Sequence, residues 1–305
     1  MYPDLFHIGP VTIGSWAFMA AIAFLVGTVV SYRRGLQEGF DSGRLFGLAP
    51  LVLISAFLGA RILYVAVNIE TYVDRPAEIV QMWRGGLVGY GILLSLITGI
   101  LYVKYRMKMP VWPIADVIAP ALPLGIAIFR GGCFLNGCCY GSPSNLPWAV
   151  LFPTAPGSVP SLFSHRSGMA VGEILEPVPR HPTQLYEALF GLIMFAIMIR
   201  ISSRIERRDG VIFFVFAAIY ACWRILNESL RDDARGQLLL LFGHGIQDRL
   251  LWIEERVAEY LAAHPATFSI WISTSQLVSL AVLAGSLLFI RDRLKPSPTD
   301  VKIEH

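Results

Sequence analysis

Apolar runs of about twenty residues recur along this chain, and no other feature restricts its fold so strongly. A helix crossing the hydrocarbon core of a bilayer needs about 20 mostly apolar residues. Such stretches lie near 11–31, 45–67, 86–103, 114–135, 183–199, 211–226 and 271–290. Only 15% of the residues are charged, against roughly a quarter in an ordinary soluble domain. The 55% hydrophobic content and the mean hydropathy of +0.58 exceed what one water-facing globule of this length can bury. Inside lipid every backbone polar group must be satisfied within the segment or in a closed barrel, and these runs have helix length. The sequence therefore predicts an all-α polytopic membrane protein. Residues 1–305 form one transmembrane domain of about seven helices with an outer loop region.

The net charge of +3 and the 25 scattered Lys and Arg residues make no clustered basic stripe, so no nucleic-acid partner is expected. Four cysteines are too few for a disulfide scaffold. Residues 1–10 lack Lys and Arg, and the first apolar run exceeds the length of a signal-peptide core, so this segment is expected to stay as an anchor.

Basic residues near span ends stay on the cytoplasmic side. The connections after spans one, three and five, with the C-terminal tail, hold 14 of the Lys and Arg residues, and the opposite connections hold eight. The expectation is an N-terminus outside, a C-terminus inside and a cytoplasmic tail over 295–305. Two outer segments are substantial: 136–182, rich in Gly, Pro and Ser, reads as irregular loop. Within 231–270, the spacing of Leu250, Leu251, Ile253, Val257, Tyr260 and Leu261 predicts an amphipathic helix over 246–263 at the membrane surface.

Three arginines fall inside predicted spans: Arg61, Arg130 and Arg224. A charge at the centre of a bilayer costs at least about 2.5–3.5 kcal/mol, so each needs a partner or a purpose. Asp116, Glu187 and Glu228, in or at the ends of spans, are candidate partners, and snorkelling to headgroups is the plainer alternative. Tyr220, Arg224, Glu228 and Arg231 recur at helical spacing and give the sixth span a polar stripe. Such a stripe lines an ion path or holds an anionic headgroup, and the planar guanidinium fork suits phosphate oxygens.

The fourth span ends in Arg130-Gly-Gly-Cys-Phe-Leu-Asn-Gly-Cys-Cys-Tyr-Gly141, where glycines allow close approach and also end a helix. The fifth is preceded by Arg180-His-Pro-Thr-Gln-Leu-Tyr-Glu-Ala188, a helix start with a polar first turn that capping explains in part. Cys133, Cys138, Cys139, His165 and His181 admit a metal reading, but their spacing matches no common zinc pattern. Small apolar packing is the expected role of the cysteines.

Taken in order, these fragments resemble the prolipoprotein diacylglyceryl transferase family, seven-span bacterial enzymes that lipidate lipoprotein precursors. The carriers are Gly59-Ala-Arg61, Gly86–Gly91, Asp116 with Ala119-Pro120, Arg130–Gly141, His181–Ala188, Tyr220, Arg224, Glu228, Arg231 and Ser273-Thr-Ser-Gln276. The chain departs from the family pattern at Phe129-Arg130, where Gly-Arg is usual, and at Cys133 and Cys138, where Asn and Glu are usual. Tyr90-Gly91-Ile92 stands where the family commonly has a histidine before two glycines, and Trp16 replaces a tyrosine.

The resemblance implies transfer of the diacylglyceryl group of phosphatidylglycerol to the lipobox cysteine thiol of an exported prolipoprotein, releasing glycerol 1-phosphate, in the bacterial inner membrane. It implies that Arg130 and Arg224 stabilise the leaving phosphate and that Tyr90 does the histidine's work. With a free pKa of about 10, tyrosine is a poor base at neutral pH. Tyr220, Asn136 and Arg61 are expected to bind the substrate, with Gly137 and Gly141 letting the loop approach it. Glu228, Arg231, Gln184, Tyr186, Glu187 and Asp116 are expected to support the arginines. No cofactor and no metal are required. The alternatives from other classes are a lipid or anion transporter and a catalytically silent phospholipid-binding scaffold.

Overall fold

A computed structural model describes residues 1–8, 11–73, 75–81, 92–152, 178–205, 209–231, 237–242, 250–251 and 268–293. Tyr90, His165, most of the expected surface helix and the 295–305 tail lie outside them. The architecture is all-α with small hairpins. Among the described residues, five helices are long and apolar enough to cross a membrane, and six if one broken pair counts as a single span.

The chain divides into two units. One comprises residues 28–118 and 208–210. Its main helix, α2 (Ser42–Val67), starts with the Asp41 carboxylate accepting the Arg44 N–H at 2.8 Å, an ordinary N-cap. The helix α3 (Ile69–Val73) follows, with a 3-10 turn over Pro76–Val80. The third expected span is described from residue 92: α4 (Ile92–Leu101) packs on α2 and runs into a π-helical stretch, Tyr102–Met107. Leu45, Leu48, Val103, Met107 and, from α5 (Val111–Ile118), Ile114 form the core of this unit.

The second unit comprises residues 1–27, 119–207 and 211–305. It opens with a hairpin, β1 (Asp4–Ile8) with β2 (Val11–Gly14), before α1 (Ser15–Gln37), a helix whose first half lies here. The first span was expected from residue 11. It starts at Ser15 because Val11–Gly14 gives its backbone hydrogen bonds to β1, and an apolar run that short does not distinguish strand from helix.

The fourth expected span, 114–135, is broken at Ala119-Pro120, and its second half is α6 (Ala121–Asn136). Proline has no N–H to donate into a continuing helix and disfavours helical backbone before it. Beyond α6 come the short pair β3 (Val150–Leu151) and β4 (Pro179–Arg180), then α7 (Thr183–Arg204) and α8 (Val211–Glu228). Ala119, Met194, Met198, Ile212 and Phe216 form the core between them, while Leu189, Leu192 and Ile193 of α7 stay exposed, as expected of side chains facing lipid tails. A Cβ on Gly191 would meet the Pro123 carbonyl oxygen at 2.6 Å, so this small residue lets α6 and α7 cross closely.

Of the 231–270 segment, residues 231, 237–242, 250–251 and 268–270 are described. Leu250-Leu251, placed in the expected amphipathic helix, form strand β6 against β5 (Gln237–Phe242), which also pairs with β7 (Phe268–Ser273). At these residues the backbone groups are satisfied by a ladder. The last span likewise begins at Thr274, not 271, because Trp271–Ser273 belongs to β7. Helix α9 (Thr274–Arg293) opens with a capping box: Gln276 N–H donates to Ser273 Oγ at 3.1 Å and Ser273 N–H donates to Gln276 Oε1 at 3.0 Å.

Candidate active site

Helix α6 ends in a Schellman turn. Gly137 has φ +75°, its N–H donates to the Phe134 carbonyl at 3.1 Å, and Cys138 N–H donates to the Cys133 carbonyl at 3.1 Å. Glycine takes the left-handed conformation without a Cβ clash. The chain then passes Gly141, whose N–H donates to the His181 carbonyl at 2.9 Å and whose backbone bridges to Arg231. A Cβ there would lie 2.5 Å from the Leu230 carbonyl oxygen and 2.7 Å from His181 Cβ. Gly141 thus joins the ends of α6, α7 and α8 through a protein contact, where the sequence suggested an approach to lipid.

The polar first turn of α7 points inward. Thr183, Gln184 and Glu187 are fully buried, and Pro182 supplies no side-chain cap. Thr183 Oγ1 donates to the Cys139 carbonyl at 2.9 Å and Gln184 Nε2 to the Cys138 carbonyl at 2.7 Å. These side chains hold the loop after α6, so capping does not explain them. Tyr186 faces the loop as well: its hydroxyl accepts from Trp148 Nε1 at 2.8 Å and lies 3.2 Å from His181 Nδ1.

Glu187 is the hub of the site. Its carboxylate meets Arg130 of α6, Nε to Oε2 at 2.8 Å, with Nη2 donating to Oε1 at 3.2 Å. From α8, Tyr220 Oη donates to Oε1 at 2.9 Å and Asn227 Nδ2 to Oε2 at 3.2 Å. Arg224 is held by Glu228, Nη2 to Oε2 at 2.5 Å, and donates through Nε to Ser275 Oγ of α9 at 2.9 Å. Its Nη1 stands 4.0 Å from Glu187 Oε2, too far for a hydrogen bond.

Arg231 is buried and acts electrostatically on both Arg130 and Arg224. It lies beyond the last residue of α8, not on the helix as the stripe suggested, and reaches the cluster through the bridge to Gly141. Among the described residues, three guanidinium groups (Arg130, Arg224, Arg231) therefore gather around two carboxylates (Glu187, Glu228). Guanidinium groups held in apolar surroundings attract an anion strongly.

Two further expected members belong to the other unit. Arg61, in the other unit, donates to the carbonyls of Ile79 at 2.7 Å and Glu78 at 2.6 Å and lies over the rings of Tyr64 and Tyr72. Asp116, also there, accepts the Gly210 N–H at 2.8 Å. Two residues unforeseen as site members, Asn227 and Ser275, belong to the cluster. Asn227 had a signal, since it is a polar residue three positions from Arg224 in an apolar helix.

The three clustered cysteines stand beside these groups. Their Sγ atoms lie within 4.8 Å of one another and none is in a disulfide. Asn136 hydrogen-bonds the Cys138 sulfur. On that thiol the hydrogen bond from Cys133 favours ionisation, but the bond to Cys139 and burial outweigh it and push the thiol above the usual cysteine range.

The sequence profile described as Prolipoprotein diacylglyceryl transferase matches residues 3–291. The phosphatidylglycerol–prolipoprotein diacylglyceryl transferase of Synechococcus elongatus is 32% identical over 237 residues, covering 76% of this chain and 78% of that protein. The protein of the same name from Geobacter sulfurreducens is 33% identical over 257 residues, covering 82% and 89%. The one from Clostridium tetani is 29% identical over 242 residues, covering 79% and 90%. A match over nearly the whole length, with the arginine cluster built from the motifs that carry the resemblance, places this multi-pass membrane chain in the prolipoprotein diacylglyceryl transferase family.

Proposed function

We propose that this protein transfers the diacylglyceryl group of phosphatidylglycerol to the lipobox cysteine thiol of an exported prolipoprotein. The guanidinium groups gathered around Glu187 carry this reading, since a phosphodiester is the anion that such a lipid brings into the membrane. In the reaction the acceptor sulfur attacks the glyceryl carbon next to the phosphate, the carbon–oxygen bond breaks, and glycerol 1-phosphate leaves with the electron pair. Charge therefore builds on the phosphate, and fixed guanidinium donors are the groups that stabilise it.

Each arginine is held before substrate arrives. Glu187 fixes Arg130, and Glu228 with Ser275 fixes Arg224, so the forks need no reorganisation in the transition state. The Nη1 group of Arg224, without a hydrogen bond among the described residues, is a donor suited to a phosphate oxygen. Tyr220, tied to Glu187, lies on the same face of α8. Tyr90 takes the place of the family histidine, and its side chain lies outside the described residues.

The deciding experiment is transfer of labelled diacylglycerol from phosphatidylglycerol to a lipobox peptide by the purified protein in detergent. Labelled thioether product is the expected result. Absence of product with several lipobox peptides, in a folded preparation that binds phosphatidylglycerol, replaces the transferase reading with that of a phospholipid-binding scaffold.

A further inference from the structure

We propose, resting on the transferase reading above, that Cys133, Cys138 and Cys139 form a site for a thiophilic divalent cation of the zinc class, whose fourth coordination position takes the thiol of the acceptor cysteine.

The three sulfurs already lie within 4.8 Å of one another. A tetrahedral zinc–thiolate site, with bonds of about 2.3 Å, sets neighbouring sulfurs about 3.8 Å apart, so only a small contraction is needed. The backbone gathers them. Cys133 is in the last turn of α6, and the Schellman turn folds the chain back over it. Cys139 sits at φ +65°, a left-handed conformation that non-glycine residues rarely adopt. Gln184 and Thr183, both fully buried, pin the carbonyls of Cys138 and Cys139, and the thiols hydrogen-bond one another. Packing alone accounts for Cys133, which is 1% exposed, but not for two half-buried thiols turned toward it.

Three protein ligands with an open position mark a metal site that takes a further ligand. Cys133 is buried while Cys138 and Cys139 keep partial exposure. Charge agrees. Arg130 lies one turn before Cys133 and interacts with it electrostatically.

The site answers a chemical need. S-alkylation requires a thiolate, and a tyrosine at position 90 is a poor base, whereas a thiol bound to such a cation is deprotonated outright. The acceptor S–H releases its proton to solvent as the sulfur binds. A sulfur lone pair then forms the C–S bond while the C–O bond to phosphate breaks, and the electron pair leaves on the phosphate oxygen. The thioether product is neutral and a weaker ligand, so it dissociates. No atom changes its metal-centred oxidation state.

The test uses the full chain in detergent, stripped with a chelator and titrated with Co(II). One ion per chain is expected, with a thiolate charge-transfer band that is lost in Cys138→Ser/Cys139→Ser, a variant at half-buried positions. A lipobox peptide should intensify the band by adding a fourth thiolate, whereas the same peptide with serine should not. The stripped chain should lose transfer by roughly 10²-fold, the low end of an acid–base contribution, and zinc should restore it. Equal binding by the double-serine variant, no response to the cysteine peptide, or full transfer by the stripped chain each overturns the proposal. The last of these leaves the transferase reading intact. A metal site that behaves as expected in a chain that transfers nothing overturns the transferase reading instead.

Discussion

Glu187 and Arg130 form a buried ion pair between α7 and α6, with both carboxylate oxygens engaged at 2.8 and 3.2 Å. The same carboxylate accepts Tyr220 and Asn227 from α8, so one side chain joins three helices. Removing its charge strands guanidinium groups in a low-dielectric interior. Glu187→Gln keeps the shape and is expected to lower stability by about 3–5 kcal/mol, the usual effect of breaking a buried pair. Denaturant unfolding in detergent measures this, and an unchanged midpoint would contradict the hub role.

Arg130→Lys and Arg224→Lys separate catalysis from structure. Lysine keeps the charge but presents a single point where a planar fork spans two oxygens. If these arginines stabilise the leaving phosphate, each variant should fold yet lose roughly 10²–10³ in turnover, the effect of removing one preorganised donor. Wild-type turnover in both would leave the arginines as ion-pair members only.

The arginines, Glu187 and Glu228 were legible in the sequence because a charge within an apolar run must be compensated, and Tyr220 and Arg224 because they share a helical face. The uncharged partners were less visible: Ser275 accepts from Arg224, but a serine near the start of a helix has many ordinary reasons to be there. Backbone partners of charged residues were not visible either. Sequence shows the Arg61 guanidinium and the Asp116 carboxylate but not the carbonyls of Ile79 and Glu78 or the Gly210 amide that they bond. The starts of α1 and α9 were misplaced for a related reason, since strands Val11–Gly14 and Trp271–Ser273 are apolar and merge with the helices they precede.

Gly141→Ala tests the junction after α6. The added methyl meets the Leu230 carbonyl oxygen at 2.5 Å, and a backbone atom cannot move away as a flexible side chain can. Overpacking of this kind typically costs about 1–3 kcal/mol. A lowered thermal midpoint is expected, together with reduced turnover, because the shift displaces both the cysteine turn and Arg231. A variant as stable and active as the wild type would show that the loop has room to spare.

Topology is the remaining prediction, and it follows from charge alone. With 14 basic residues in one set of connections and eight in the other, reporter fusions after Arg34, Lys108, Arg208 and Lys302 should report the cytoplasm. Fusions near Ser144 and His264 should report the outside. The turn carrying Cys138, Cys139 and Gly141 then faces the compartment into which precursors are exported, so an acceptor cysteine reaches the arginine cluster after translocation. The opposite pattern would put that turn on the cytoplasmic side, where an exported thiol never arrives, and the proposed acceptor would have to be abandoned.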